Sequence, residues 1–365
     1  MRAEAPIADL VARGLRAPIC LTWEVTFACN LACVHCLSAS GRRDPRELTT
    51  AEARRLIDQI GDLGVFYVNV GGGEPTLRRD FFDLVDAAVS RGIGIRFSTN
   101  GWGITPAVAR RLAHWPGVDV QVSLDGADAA TNDRIRGPGS YALARRALDA
   151  LGAAGVSTAS VSTVVTRASA SQLDALAALA HDRGARLRLT RLRPAGRGTA
   201  TWEQLRLSAA DQRLVHAWLV AHPEVATGDS FFHLSALGPA LAGLNTCGAG
   251  RVVALIDPVG DLYACPFAIH ERFRAGSLRE QGLGDLWRTS PVLRALRTAE
   301  AAGACATCGA YDACHGGCRA AKFFTGLDEA GPDPECALGA APPGAPARPR
   351  PGADHSRPLV VRSVR

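Results

Sequence analysis

Residues 19–36 read ICLTWEVTFACNLACVHC, an apolar run typical of a strand that ends in three closely spaced cysteines. Cys29, Cys33 and Cys36 follow the spacing CxxxCxxC. Iron–sulfur clusters are held by cysteine thiolates, and a [4Fe–4S] cube has four irons. A local triplet therefore binds three irons and leaves the fourth open to another ligand. The spacing differs from zinc-ribbon pairs and from the bacterial ferredoxin run, but taken alone it leaves a zinc site as the alternative.

In radical enzymes the ligand of such an open iron is S-adenosylmethionine, and its reductive cleavage yields a carbon radical. The triplet thus predicts a reaction type as well as a cofactor, with Cys29, Cys33 and Cys36 as its catalytic ligands.

Composition places the chain among globular proteins. Its 365 residues are 47% hydrophobic and 21% charged, which suits one large or two modest domains. No signal peptide and no apolar run of membrane-spanning length is present, so the predicted location is the cytoplasm, with no membrane partner. That compartment keeps thiols reduced, and the 11 cysteines therefore indicate metal binding or catalysis rather than disulfides. The lone Cys20 is interpreted as a small buried hydrophobic residue.

The positive charge is concentrated at the carboxyl end of the chain. Of the net +6, residues 338–365 contribute +4, from five arginines against Asp354, and the remainder is +2. No basic stripe with interleaved aromatic residues is present, which argues against a nucleic-acid partner. The segment 338–365 is rich in Ala, Pro, Gly and Arg and is predicted to be a disordered basic tail.

Strand-like and helix-like segments alternate up to about residue 195, which predicts parallel strands joined by helical crossovers. Six repeats are too few to close a barrel of eight, so we expect an α/β fold, an open (β/α)6 partial TIM barrel over residues 17–225 after a lead-in of residues 1–16. Thr49 and Glu52 predict a capping box at the start of the first helix. The predicted strands are Ile19–Phe27, Val65–Val70, Ile95–Thr99, Val118–Leu124, Ala159–Thr166 and Arg186–Arg191.

The pattern becomes irregular after residue 225. Glycine and cysteine are frequent there, and Trp287, Leu293 and Leu296 indicate one remaining helix. A region this poor in regular structure needs bound metal to stabilise it. We therefore expect an irregular extension held by iron–sulfur clusters over residues 226–337.

A glycine-rich loop, Gly71-Gly-Gly-Glu-Pro75, follows the second predicted strand. The carboxyl ends of parallel strands meet at one edge, which brings this loop to the cysteine triplet. Backbone carbonyls of Gly72 and Gly73, together with Glu74, are predicted to receive the methionine ammonium of the cofactor. An ordinary glycine-rich turn is the alternative, and a P-loop is excluded because no Gly-Lys-Ser/Thr follows.

Small polar side chains follow the third and fourth strands at the same edge. Ser98 and Asn100 come from one loop, and Ser123 and Asp125 from the next. They are candidates for contacts to the ribose hydroxyls and the methionine carboxylate, and Arg136 for a bidentate clamp on that carboxylate. Plain turn formation and a surface salt bridge are the respective alternatives.

Seven further cysteines lie in the irregular region, one short of two complete four-thiolate sites. Four of them fall within fourteen residues, and a zinc site of four cysteines is the alternative to iron–sulfur clusters. The seven are Cys247, Cys265, Cys305, Cys308, Cys314, Cys318 and Cys336.

Taken together, the two cysteine blocks resemble the radical S-adenosylmethionine (radical SAM) enzymes that carry a SPASM extension. The resemblance implies three [4Fe–4S] clusters, one that binds the cofactor and two auxiliary ones. It implies that Cys247, Cys265 and Cys318 hold the nearer auxiliary cluster, whose fourth ligand is unassigned. It also implies that His35 takes the aromatic position that packs near the adenine, a loop histidine being the alternative. The ligands of the distal auxiliary cluster would be Cys305, Cys308, Cys314 and Cys336.

Longer stretches resemble one family of these enzymes, the mycofactocin radical SAM maturases. They include residues 17–24, 35–38, 40–48, 228–234, 247–251, 264–270 and 331–336, within about residues 17–338. The resemblance implies a ribosomal precursor peptide ending in Val-Tyr, oxidative decarboxylation of its tyrosine, and carbon–carbon bond formation with the valine. It also implies a small peptide-binding chaperone and an external low-potential reductant. Another SPASM maturase, thioether-forming or sulfatase-maturing, and a non-enzymatic iron–sulfur or zinc electron carrier are the alternatives.

Overall fold

A single mixed sheet organises the protein. The computed structural model describes residues 15–115, 117–227, 231–241, 246–298 and 301–339. Within these ranges nine strands form one sheet in the order β6-β5-β4-β3-β2-β1-β7-β8-β9. The strands are β1 (Cys20–Glu24), β2 (Tyr67–Gly71), β3 (Gly94–Thr99), β4 (Val118–Ser123), β5 (Ala159–Val165), β6 (Arg186–Arg191), β7 (Val253–Ile256), β8 (Asp261–Tyr263) and β9 (Arg274–Ser277).

The first six strands are parallel neighbours in sequence order, as the alternating pattern predicts. β6 and β9 are the two ends of the strand order, so the sheet is not closed into a barrel. The open α/β partial barrel predicted from the sequence is therefore confirmed. Each predicted strand coincides with an observed one to within a few residues at its ends.

Helices cover the sheet and bury their apolar faces on it. The predicted capping box is confirmed: the backbone N–H of Thr49 donates to Glu52 at 2.8 Å, and the Glu52 N–H donates back to Thr49 Oγ1 at 3.3 Å. The helices are α1 (Thr50–Asp62), α2 (Phe81–Ser90), α3 (Pro106–Ala113), α4 (Ala129–Arg136), α5 (Ser140–Ala153), α6 (Leu173–His181), α7 (Gly198–Leu205), α8 (Ala209–Ala221), α9 (Leu283–Thr289), α10 (Pro291–Thr298), α11 (Tyr311–Cys314) and α12 (Arg319–Phe324).

The cysteine-rich extension is more regular than expected, because it continues the sheet of the partial barrel. β7 pairs in parallel with β1, with Cys20 opposite Val253, and β8 and β9 follow as antiparallel neighbours. The expectation of one helix around Trp287 is wrong, since α9 and α10 are separate. Ser290 breaks them apart with extended backbone (ψ 123°), as the residue before Pro291 is driven out of the helical region.

Two predicted segments fall mainly outside the described residues: the lead-in of residues 1–16 and the basic tail of residues 338–365. In the part of the chain that the structure describes, no helix has both the length and the apolar character to cross a bilayer.

Candidate functional site: a cysteine loop and a cavity at the carboxyl edge of the sheet

The three cysteines of the triplet lie on a loop that is closed at its base, directly after β1. The Cys29 N–H donates to the Gly41 carbonyl at 2.9 Å, and the Gly41 N–H donates to the Phe27 carbonyl at 2.8 Å. Buried Glu47 accepts the Phe27 N–H at 2.8 Å and the Thr26 hydroxyl at 3.0 Å. These bonds fix where the loop leaves the sheet, and the sequence analysis did not identify Glu47.

Arg197, which was not predicted from the sequence, also holds the cysteine loop. Arg197 donates from Nε to the Cys33 carbonyl and from Nη1 to the Ser40 carbonyl, both at 2.8 Å, and its N–H donates to the Cys36 carbonyl at 2.9 Å. Its only sequence signal was its place in the loop after β6, at the edge where the other candidate residues lie.

Of the triplet cysteines, Cys29 is buried, and Cys33 and Cys36 are half-buried. Burial raises the pKa of Cys29 to about 12, and Glu74 and the other two cysteines raise it further. Burial also raises the pKa of Cys33 to about 11, with Arg136 opposing the shift and Cys36 adding to it. Metal ligation requires thiolates. We therefore expect iron binding at these positions to release protons.

The glycine-rich loop lies directly on the start of the cysteine loop. The Gly73 N–H donates to the Thr26 carbonyl at 2.7 Å, and the Glu74 N–H to the Ala28 carbonyl at 2.8 Å. Gly72 has φ +120°, and a Cβ on Gly73 would lie 2.0 Å from the Ala28 carbonyl oxygen. These two positions require glycine because two backbone segments meet here, and the contact joins the ends of β1 and β2.

Glu74 is fully buried, and its carboxylate is occupied by protein donors. Oε1 accepts the Thr76 hydroxyl at 2.6 Å and the Thr99 hydroxyl at 2.8 Å, and Oε2 accepts the Asn100 N–H at 2.7 Å. Burial raises the pKa of Glu74, against the lowering effect of these bonds. The side chain thereby fixes the loop after β3 against the loop after β2.

Asp125 joins two other predicted site residues in a buried cluster. Its Oδ2 lies 2.6 Å from Nε2 of His35 and 2.6 Å from Nε of Arg136, and its Oδ1 accepts the Val164 N–H at 2.8 Å. Burial alone raises the pKa of Asp125, but Arg136 and His35 outweigh it and hold the pKa well below its ordinary value. Arg136 is thus a buried ion-pair partner, and the surface salt bridge considered from the sequence is excluded.

A cavity of about 480 Å³ extends below the cysteine loop into the partial barrel. Ser98, Ser123, His35 and Arg136 line it, whereas Asn100 bonds to Asn30 Oδ1 at 2.8 Å. The buried Nδ1 of His35 has no hydrogen-bond partner among the described residues. A mostly apolar cavity with several converging polar side chains, one of them unsatisfied, fits a nucleoside-containing cofactor.

The seven later cysteines form two groups in space. Cys247, Cys265 and Cys318 line the same central cavity. Burial raises the pKa of Cys265, and the neighbouring Cys247 and Cys318 raise it further. The other group lines a separate, smaller cavity and consists of Cys305, Cys308, Cys314 and Cys336. The two cavities separate the seven cysteines in the same way as the ligand sets expected from the SPASM resemblance, and the clusters assigned to those sets stay a prediction.

A buried ionic network connects β6 to this cysteine-rich region. Arg191 donates to Asp333 at 2.5 Å and to Glu335 at 2.5 Å, and Asp333 also accepts the Cys318 N–H at 2.7 Å. All three charged side chains are almost fully buried. The network therefore links the end of β6 to a member of the nearer cysteine group.

Comparison with known proteins gives this geometry its class. The Radical SAM superfamily matches residues 23–180, and the SPASM iron–sulfur cluster-binding domain matches residues 247–309. The protein is a radical SAM enzyme with a SPASM domain, and it uses S-adenosylmethionine and iron–sulfur clusters. Streptococcus suis SuiB bound to S-adenosylmethionine has the same fold, with a TM-score of 0.74 at 21% identity over 90% of this chain and 80% of that one.

The relatives in sequence are more specific. Mycofactocin maturase MftC of Mycobacterium ulcerans is 60% identical over 94% of this chain and 95% of its own. Mycofactocin maturase MftC of Mycolicibacterium smegmatis is 58% identical over 98% of this chain and 94% of its own. The chain belongs to the mycofactocin maturase family, and it is a radical SAM peptide maturase.

Proposed function

We propose that this maturase oxidatively decarboxylates the C-terminal tyrosine of a precursor peptide ending in Val-Tyr and then joins the modified residue to the valine through a carbon–carbon bond. The observation that carries the proposal is one cavity lined both by His35 and Ser123 and by Cys247, Cys265 and Cys318. A substrate held there lies between the cofactor side and the nearer auxiliary cysteines. SuiB, of the same fold, has been solved with its precursor peptide SuiA.

Cys29, Cys33 and Cys36 are the proposed ligands of the cofactor-binding cluster, and that cluster with S-adenosylmethionine would supply the carbon radical needed to take a hydrogen atom from the tyrosine Cβ. The carbonyls of Gly72 and Gly73 are assigned to the methionine ammonium. Because the Glu74 carboxylate already accepts protein donors, we assign that residue the task of holding the loop.

The remaining strand-end residues surround the rest of the cofactor. Ser98, Asn100 and Ser123 are assigned to its ribose and carboxylate, and His35 to its adenine. Asp125 fixes the imidazole of His35 and the guanidinium of Arg136, so these two groups are held in place before the cofactor binds.

The first reaction determines what else the protein must provide. A peptide carboxylate that loses one hydrogen atom and carbon dioxide must also lose one electron to become a neutral alkene. Cys247, Cys265 and Cys318 line the cavity, and a [4Fe–4S] cluster held by them would supply an electron acceptor for this step. The second auxiliary cluster is assigned to Cys305, Cys308, Cys314 and Cys336, which gives three clusters in all.

These assignments give the two parts of the chain different roles. Residues 17–225 are proposed to initiate the radical and residues 226–337 to carry the auxiliary clusters. A chaperone is proposed to present the peptide, and an external low-potential reductant to start each turnover.

The test is the mass of the product after anaerobic reaction of the holoenzyme with precursor peptide, chaperone, S-adenosylmethionine and a reductant. We expect loss of carbon dioxide and two hydrogens, and then a cross-linked isomer of that mass. Deoxyadenosine should accumulate with the product. An unchanged peptide contradicts the proposal, and loss of two hydrogens alone indicates thioether-type chemistry. Absence of deoxyadenosine from holoenzyme with its full iron content contradicts radical initiation at the triplet.

A further inference from the structure

One buried cation of the central cavity is not used by any assignment above. Arg193 lies two residues beyond β6 and lines the cavity, with an exposed fraction of only 4%. Its Nη1 donates to the Arg191 carbonyl at 3.0 Å, and its guanidinium carbon lies 4.4 Å from the centre of the Phe267 ring. Its Nε has no hydrogen-bond partner among the described residues.

The neighbouring buried arginines each have a carboxylate at ion-pair distance, whereas Arg193 has none within that distance among the described residues, and its charge acts on Glu335 only from farther away. Arg191 binds Asp333 and Glu335, and Arg136 binds Asp125. Burying a charge is costly unless a counter-charge and hydrogen bonds compensate for the lost water. A guanidinium with open donors at a cavity wall therefore favours an anionic ligand, and its planar geometry suits a carboxylate.

The position of Arg193 indicates which carboxylate that is. The loop of Arg193 and the cysteine loop both pack against Gly198. A Cβ at that glycine would lie 2.6 Å from the Arg193 carbonyl oxygen and 3.3 Å from the His35 carbonyl oxygen. The ring beneath its guanidinium belongs to Phe267, two residues after Cys265. Arg193 thus stands between the cofactor side of the cavity and the nearer cysteine group, where the substrate is proposed to react.

We propose that Arg193 binds the C-terminal carboxylate of the precursor peptide and makes a free carboxylate a requirement for binding. This inference rests on the proposed function, because only a peptide that reacts at its last residue brings its terminal carboxylate into this cavity. The competing account is that an anionic cluster on the nearer cysteines is the counter-charge of Arg193.

Equilibrium binding without reductant separates these accounts. Two labelled precursor peptides, identical except for a C-terminal acid or amide, are titrated with chaperone into the holoenzyme. Wild-type protein should bind the acid about 30-fold more tightly than the amide, the effect of leaving one buried charge unpaired. Arg193→Gln should bind both peptides as the wild type binds the amide, and Arg193→Lys should keep part of the preference. Exposed Arg213→Gln, which removes the same charge elsewhere, should behave as the wild type.

Several results would overturn the inference. Equal affinity of the wild-type protein for the acid and amide peptides would overturn it. This result does not depend on any variant, so it is decisive even if Arg193→Gln fails to load iron. An unchanged ratio in Arg193→Gln, with altered cluster content or altered S-adenosylmethionine binding, assigns the guanidinium to the cluster or the cofactor. Product mass is measured separately. Acid preference without decarboxylation therefore refutes the proposed reaction and leaves the carboxylate site intact.

Discussion

Nε2 of His35 and Oδ2 of Asp125 lie 2.6 Å apart, although ninety positions separate them in the chain. The same oxygen lies 2.6 Å from Nε of Arg136, so one carboxylate pairs with a residue of the cysteine loop and with the last residue of α4. The loop after β1 and the loop after β4 are thereby held together beneath the site.

Asp125→Asn is expected to destabilise the protein by about 3 to 5 kcal/mol, because it leaves the buried Arg136 without its counter-charge. The free energy of unfolding, measured anaerobically in urea, tests this. Asp285→Asn is the matched control, since Asp285 pairs with Arg288 on the surface and should cost no more than about 1 kcal/mol. Equal losses in the two variants would show that the Asp125 cluster contributes no more than a surface pair.

Cys29→Ala should abolish deoxyadenosine formation and lower the iron content by about four per chain, since one cluster loses a ligand. Cys20→Ala is the control. Cys20 lies on β1, where its sulfur accepts Asn69 Nδ2 at 3.3 Å, and it lines the central cavity. It is half-buried, so the expectation of a buried hydrophobic residue is wrong. Because it belongs to none of the three predicted ligand sets, Cys20→Ala should keep its iron and its deoxyadenosine formation. Deoxyadenosine formed by Cys29→Ala at the wild-type rate would refute the assignment of the triplet.

How far the sequence predicts this site depends on the range of the interactions. The Thr49–Glu52 capping box and the strands β1 to β6 follow from local patterns, and both are confirmed. The pairing of β7 with β1 and the bond from Arg197 to Cys33 join segments more than 160 residues apart. No local pattern carries such information, because the partners are chosen by tertiary packing. Asp125 shows the intermediate case: its place at the site was predicted, but its use as an internal counter-ion was not.

Asp257 is expected to make stability fall as pH rises towards neutrality. Burial is the largest cause that raises the pKa of Asp257 from 3.8 to about 7, and the negative charges of Asp261 and Glu24 contribute to it. The folded chain therefore holds a proton that the unfolded chain has already released, and this stabilisation is lost as pH rises through about 7. Melting temperatures between about pH 5.5 and 7.5 measure the slope.

Asp257→Asn should flatten that slope. Asp257 Oδ1 accepts the N–H groups of Val259 and Asp261 at 3.0 Å and 2.9 Å, and an amide oxygen can accept both. Asp285→Asn, which changes an exposed carboxylate, should leave the slope as it is in the wild type. A slope that persists in Asp257→Asn would assign the pH dependence to another group.

Arg191→Met should destabilise the auxiliary region selectively. It leaves Asp333 and Glu335 buried without their cation, at a cost of about 3 to 5 kcal/mol. Because Asp333 also holds the Cys318 N–H, we expect iron to be lost from the auxiliary sites before the triplet. Loss of iron while deoxyadenosine formation is retained would show that the auxiliary sites are affected and the triplet is not. Arg274→Met, at a more exposed pair with Asp261, should retain its iron. Equal loss of iron in both variants would contradict a specific role for Arg191.

The placement of β1 between β2 and β7 has a consequence for biosynthesis. β1 is among the first strands to be translated, yet one of its two neighbours begins at Val253 and is translated long after β6. Pairings of such large sequence separation form slowly, and an unpaired strand edge is prone to association with other chains. Until β7 is translated, one edge of β1, directly beside the cysteine loop, has no permanent neighbour. Delivery of iron to that loop during translation would therefore meet a partly assembled sheet, whereas delivery after chain release would meet a finished one.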